Sequence, residues 1–217
     1  MTTTRVHLLR HGEVHNPEGV LYGRIPGYRL STRGEAMAER VAAVLGERPV
    51  VRVVSSPLER AQQTAAPLAA ALGVEVAIDD RLIEAGNAFE GLTVGVGDGA
   101  LRSPRYWPLL RNPFRPSWGE PYVEIAARMR AAMLAAAQAA PGQETVLVSH
   151  QLPIWTLRSA LEGRTLWHDP RRRECGLCSV TTVLLEDDGT GPVVTGLRYS
   201  EPAGDLLRDD VGFAAGA

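Results

Sequence analysis

"VHLLRHGEVHN", residues 6–16, runs from an apolar stretch straight into an arginine, a histidine and a glycine. Val6–Leu9 reads as a short strand covered on both faces, the pattern of a parallel sheet. Arg10 and His11 then stand at its carboxyl end, where open α/β sheets bind their ligands. Two cationic side chains at that position ask for an anion.

The same punctuation recurs along the chain. Apolar runs at Val50–Val54, Val74–Ile78, Thr145–Val148, Ser179–Leu185 and Val193–Tyr199 are each bounded by turn or charged residues, and read as further strands. Between them lie helical patterns. In the first, Thr32 and Glu35 form a capping box, Met37, Val41, Val44 and Leu45 share a face, and Gly46 ends it. The second opens in "SSPLERAQQTA" (55–65), with Ser56 as cap, Pro57 in the first turn and Glu59 closing the box, while Pro67 predicts a kink or early end. A third is expected over about 121–140 and a fourth from near Pro153 to before Gly163.

Alternation of strand and helix predicts one α/β domain over residues 1–217: a mostly parallel sheet of about six strands, flanked by helices on both faces. The last two strands, joined by "EDDGTGP", are expected as an antiparallel addition. Residues 86–119 fit neither period and are expected to form an irregular, lid-like excursion.

Composition narrows the chemistry. The 217 residues carry a formal net charge of −2, which argues against a broad nucleic-acid footprint. All 23 basic residues are arginine, so a P-loop lysine or a Schiff-base lysine is excluded. The amino terminus "MTTTRVHLLR" has no secretory pattern and no stretch approaches a membrane span, so a cytoplasmic protein is expected. Cys175 and Cys178 are too few for a disulfide scaffold, and "CGLC" with nearby His168 supplies at most three metal ligands.

Three segments deliver cationic or imidazole side chains to strand ends: Arg10 and His11 after the first strand, Arg60 at the start of the helix after the second, and His150 directly after "TVLVS". Such a cluster is costly without an anion among its members. A phosphoryl group suits it, because guanidinium groups grip its oxygens and a neutral imidazole is a nucleophile toward phosphorus.

On these residues the chain resembles the histidine phosphatase superfamily, which includes cofactor-dependent phosphoglycerate mutases and many phosphatases. "LLRHGE", "SSPLERAQQTA" and "VLVSH" are similar to its first, second and third motifs, over roughly residues 5–160. The resemblance implies that His11 accepts the phosphoryl group, that Arg10, Arg60 and His150 hold its oxygens, and that neither metal nor cofactor is used. "RLIEAGNAFEG" is similar to the segment carrying the family's general acid, which makes Glu84 the acid. Departures are visible: Asn16 stands five positions after His11 where the family has asparagine at six, Phe89 replaces a tryptophan, and Gln151 replaces a glycine.

Substrate contacts are expected from Glu13, Asn16 and Gln151, and from Arg102, Arg105 and Arg115 in the excursion, whose arginines alternate with aromatic side chains. Glu120 in "WGEP" resembles the family's Gly-Glu-Ser segment near the pocket. The triplet at 171–173 reads as a solvated turn, with polyanion binding as its alternative. The expected function is hydrolysis of a small phosphomonoester through phosphohistidine. Phosphoglycerate mutation is the alternative, and a non-catalytic phosphoanion-binding module is the rival from another class. No nucleic-acid or membrane partner is expected.

Overall fold

In a computed structural model, which describes residues 3–93, 107–108 and 118–207, strand β1 (Thr4–Arg10) alternates between two cores. Val6 and Leu8 join one cluster with α3 (Tyr122–Ala139) and α4 (Gln151–Leu161); Leu9 joins the other with α1 (Thr32–Gly46) and α2 (Glu59–Leu72). Helices therefore cover both faces of the sheet. The remaining strands are β2 (Val50–Ser55), β3 (Val76–Ile78), β4 (Glu144–Ser149), β5 (Val180–Asp187) and β6 (Pro192–Ser200). Their order is β3-β2-β4-β1-β5-β6.

The first four strands are parallel, while β5 runs antiparallel to β1 and β6 antiparallel to β5. Central β4 is buried at every residue, whereas β6, on the edge, is partly or fully exposed along its length. Register positions the chemistry: Arg10 lies opposite Ser149, and Ser55 opposite Val148. The His11 N–H donates to the Ser149 carbonyl (3.1 Å) and the Ser56 N–H to that of Val148 (2.9 Å). His11, Ser56 and His150 thus leave the sheet along one edge.

Several boundaries differ from the sequence reading. The cap of α1 is Ser31, whose side chain accepts from the Gly34 N–H, so the capping residue precedes Thr32. Helix α2 begins at Glu59 with Leu58 as an uncapped first residue. Ser56 stands ahead of the cap position: its hydroxyl oxygen accepts from the Leu58 N–H (3.4 Å), short of the helix itself, and the group also bonds to His150 Nε2 (2.8 Å). Pro67 does not end α2, which continues to Leu72 and closes on Gly73 at φ 67°. The buried face of Ala61, Ala65, Leu68 and Ala69 outweighs the one helical hydrogen bond that proline removes. Val74 is outside β3, since its N–H returns to the Ala69 carbonyl. Helix α4 starts at Gln151, ahead of Pro153, which then occupies the first turn where a missing N–H costs nothing.

At the opposite edge of the sheet, buried Glu144 accepts from His7 Nε2 (2.9 Å) and from two nitrogens of Arg48 (2.7 and 2.9 Å), tying β1, β4 and the end of α1 together. No helix among the described residues is long and apolar enough to cross a membrane.

Candidate active site

The turn after β1 is held by contacts that require glycine. A Cβ on Gly12 would lie 2.6 Å from the Gly34 carbonyl oxygen, and one on Gly34 would collide with the Glu13 backbone. The N-terminus of α1 can therefore press directly on the His11 loop. From the other side, the Thr64 hydroxyl accepts from the Gly12 N–H (3.1 Å) and donates to the Arg60 carbonyl (2.7 Å), linking α2 to the same loop. Arg10 is anchored through Nη1 to the Cys175 carbonyl (2.7 Å), and Arg60 through Nη2 to the Gly23 carbonyl (2.6 Å). The Arg60 guanidinium also rests over the Tyr22 ring, 4.7 Å from its centroid.

Arg10, His11, Arg60, Glu84 and His150 are all buried, none more than 3% exposed. Among the described residues each keeps at least one polar atom without a partner: Nε and Nη2 of Arg10, Nε2 of His11, Nε of Arg60, Oε2 of Glu84 and Nδ1 of His150. Buried polar groups are ordinarily satisfied, so unpaired atoms gathered in one place mark a ligand site. His11 and His150 face each other with ring centroids 5.1 Å apart.

Electrostatics fixes the protonation of the group. Burial, then Arg60 and Arg10, hold the His11 pKa well below its ordinary value, so the ring is neutral near pH 7. Its Nδ1 lies 2.8 Å from the Gly12 carbonyl, an acceptor only, so Nδ1 carries the proton and Nε2 the lone pair. His150 is likewise lowered by burial and then by Arg60 and His11. Burial raises Glu84, against the opposing pull of the Ala85 N–H, Arg60, Arg173 and Arg10. The site thus pairs a neutral imidazole with a carboxyl disposed to keep its proton.

Glu84 is braced from several sides. Its Oε1 accepts from the Ala85 N–H (2.8 Å) and its carbonyl from Arg24 Nε (2.7 Å). Arg24 also pairs with Glu120, which Arg128 grips with two nitrogens while its Nη1 reaches the Arg81 and Ile83 carbonyls. Glu120 therefore shapes the acid's segment. The Ser149 hydroxyl adds a bond to the Leu82 carbonyl (2.7 Å).

The other expected contacts are placed differently. Both polar atoms of the Asn16 amide bond to Val20, closing a local turn. The Glu13 carboxylate accepts from the Ser31 hydroxyl (2.7 Å) and pairs with Arg33, so it faces the start of α1. Gln151 lies beside the site, its amide donating to the Cys175 carbonyl (3.3 Å) and accepting from Arg173 (3.1 Å). Arg102, Arg105 and Arg115, with most of the expected lid, lie outside the described residues. Both cysteines are buried free thiols, and the contribution of that loop is the Cys175 carbonyl. Tyr22, Arg24, Ser56, Thr64 and Arg128 escaped the sequence reading as site residues, while Arg173 belongs to the triplet read as a solvated turn with polyanion binding as its alternative. Ser56 and Thr64 lie inside a recognised motif; the arginines carry no local signal.

Comparison with known proteins supplies the family. Residues 6–197 match the model of the histidine phosphatase superfamily (branch 1). The chain is 58% identical over 200 residues to the uncharacterized protein Rv0525 of Mycobacterium tuberculosis, covering 92% of this chain and 97% of the relative. It is 29% identical over 219 residues to the probable phosphoglycerate mutase GpmB of Escherichia fergusonii, covering 95% of each. The solved mycobacterial glucosyl-3-phosphoglycerate phosphatase Rv2419c superposes with a TM-score of 0.73 at 28% identity, over 92% of this chain and 98% of that one. Motif, sheet order and relatives converge: the chain belongs to the histidine phosphatase superfamily, among its phosphatases and phosphoglycerate mutases.

Proposed function

We propose that the protein hydrolyses small phosphomonoesters through a phosphohistidine intermediate on His11. The carrying observation is the convergence of unpaired buried atoms on Arg10, His11, Arg60, Glu84 and His150, which together match a phosphoryl group and its leaving oxygen. The His11 Nε2 lone pair attacks phosphorus while the bond to the leaving oxygen breaks. Glu84, protonated at Oε2, gives its proton to that oxygen, so a neutral alcohol departs.

Arg10 and Arg60 stabilise charge on the non-bridging oxygens. His150 joins them in the tautomer in which the Ser56 hydroxyl donates to Nε2 (2.8 Å) and Nδ1–H faces the phosphoryl group. The hydrogen bond from His11 Nδ1 to the Gly12 carbonyl offsets the positive charge of the phosphorylated ring. In the second half, water attacks phosphorus as the P–N bond breaks, and the Glu84 carboxylate takes its proton. Phosphate leaves and both residues return to their starting forms.

Rapid acid-free quenching of the protein with a 32P-labelled phosphomonoester should trap label on histidine. His11→Ala should lose both label and turnover. Label on a carboxylate, or substantial turnover by that variant, overturns the assignment. Isomerisation of 3-phosphoglycerate that depends on 2,3-bisphosphoglycerate, with negligible phosphate release, would favour the mutase reading instead.

A further inference from the structure

Beside the C-terminal end of α1, the sheet carries a cavity of about 240 Å³ that the chemistry at His11 does not use. Its floor is formed by β1, β5 and β6. His7 lies opposite Thr182, and Thr182 opposite Arg198, so these three side chains share one face. Val44, Leu45 and Arg48 form a wall, and Arg5 borders the same cavity. His7 precedes His11 by four residues of strand, which separates the cavity from the phosphoryl site by roughly 13 Å along β1. It is a second place, reached from the other end of the strands.

The floor is built and buried. His7 and Glu144 are 2% and 3% exposed. A carboxylate only accepts, so His7 Nε2 carries the ring proton toward Glu144 (2.9 Å), and Nδ1 accepts from the Thr182 hydroxyl (2.9 Å). Burial lowers the His7 pKa, which leaves the ring neutral near pH 7. Glu144 is fully engaged: Oε1 accepts from Arg48 Nη2 (2.9 Å) and Arg5 Nη1 (3.5 Å), and Oε2 from Arg48 Nε (2.7 Å) and His7 Nε2. It has no capacity for a further cation.

Three guanidinium groups therefore border the cavity against one saturated carboxylate. Among the described residues Arg198 makes no ion pair. Glu144 pins Arg5 and Arg48 by some of their nitrogens and leaves Nε and Nη2 of Arg5 and Nη1 of Arg48 as donors. Two of the three cations are thus held in place before any ligand arrives, which lowers the ordering cost of binding. We propose that this groove is a second oxyanion site, which takes a small phosphorylated anion between Arg5, Arg48 and Arg198. Guanidinium forks match phosphate oxygens, and a monocarboxylate would leave the excess positive charge uncompensated. The volume falls below the roughly 300–1,000 Å³ of sites for drug-sized ligands, so the anion is a compact one.

Equilibrium dialysis of the full chain against 32P-labelled orthophosphate counts the sites. The parent should bind two phosphates, and Arg60→Met, altered in the pocket beside His11, should keep the one in the groove. In Arg5→Gln/Arg198→Gln the groove phosphate should weaken about tenfold or more, while turnover of p-nitrophenyl phosphate stays within about twofold of the parent, because the two places are separate. Both substituted side chains reach solvent, and a melt of the double variant checks that the fold is kept. Arg171→Gln, exposed elsewhere, should change neither quantity. The proposal is overturned if Arg60→Met binds no phosphate, if the double variant still binds as many phosphates as the parent with equal affinity, or if Arg171→Gln weakens binding as much as the groove substitutions do. A single phosphate on the parent that the groove substitutions remove would uphold the groove and defeat the phosphoryl pocket instead.

Discussion

Replacing Glu84 with glutamine tests the chemistry with little disturbance to the fold. The glutamine carbonyl can take over the bond that Oε1 accepts from the Ala85 N–H (2.8 Å), which leaves an amide where Oε2 has no partner. That amide donates a hydrogen bond and cannot release a proton to a leaving oxygen. General acid catalysis contributes on the order of 10²–10⁴-fold, so kcat for an alkyl phosphate should drop by that factor. With p-nitrophenyl phosphate, whose leaving group departs without protonation, the loss should be about tenfold or less.

The pH dependence carries a second signature. His11 must be neutral to attack, and its lowered pKa keeps it so to well below the ordinary histidine range. Glu84 must be protonated, and its raised pKa keeps it so above the ordinary carboxyl range. For alkyl esters, activity should therefore rise as pH climbs through the His11 value and fall as pH climbs through that of Glu84. Substrate ionisation is common to parent and variant, so the ratio of their rates isolates the acid. That ratio should be greatest on the acidic side and shrink toward one as Glu84 loses its proton. Equal losses on alkyl and aryl esters, or a ratio that ignores pH, would refute Glu84 as the acid.

Inorganic phosphate should stabilise the protein, since it supplies partners to buried groups that have none. At a hundred times its Kd the gain is about 2.7 kcal/mol, or a rise in Tm of roughly 5–10 °C by calorimetry, reduced in Arg60→Met. Gly12→Ala forces a Cβ to within 2.6 Å of the Gly34 carbonyl oxygen; we expect ~1–3 kcal/mol lost in denaturant melts and a larger, about 10²-fold, loss of turnover because His11 shifts with its loop. Glu144→Ala, remote from the chemistry, should lower stability by about 2 kcal/mol, as it strips His7 and Arg48 of their acceptor. Because pairing with Arg48 and His7 lowers the Glu144 pKa against its burial, that stability is present above the unfolded carboxyl value and should fade as pH falls through the folded one.

Much of the site was legible because parallel strands advertise their ends. An apolar run that stops abruptly at Arg10-His11, and another at Ser149-His150, locates both histidines at a sheet edge without knowledge of which strands pair. Their adjacency is a matter of register between β1 and β4, which are over a hundred residues apart in sequence, and no local pattern encodes it. Local rules failed where a tertiary partner outbid them. Ser56 has the chemistry of a helix cap, yet it lies a turn too early: its oxygen accepts only from the Leu58 N–H, it bonds to His150 across the site, and the helix starts without a side-chain cap three residues later. Arg24 looks like any loop arginine until the chain folds it onto the carbonyl of Glu84, sixty residues on.

The arginine triplet shows the same limit at its sharpest. Composition makes three consecutive arginines equivalent, and solvation is the sound expectation for all of them. What separates them is a short turn: Asp169 accepts from the Arg171 N–H and pairs with its guanidinium, which aims 171 and 172 at solvent. The next residue then points back toward His168 and Gln151. A cation so placed, with neutral partners and the acid at Glu84 within reach of its charge, raises the cost of folding without an anion and lowers the cost of binding one.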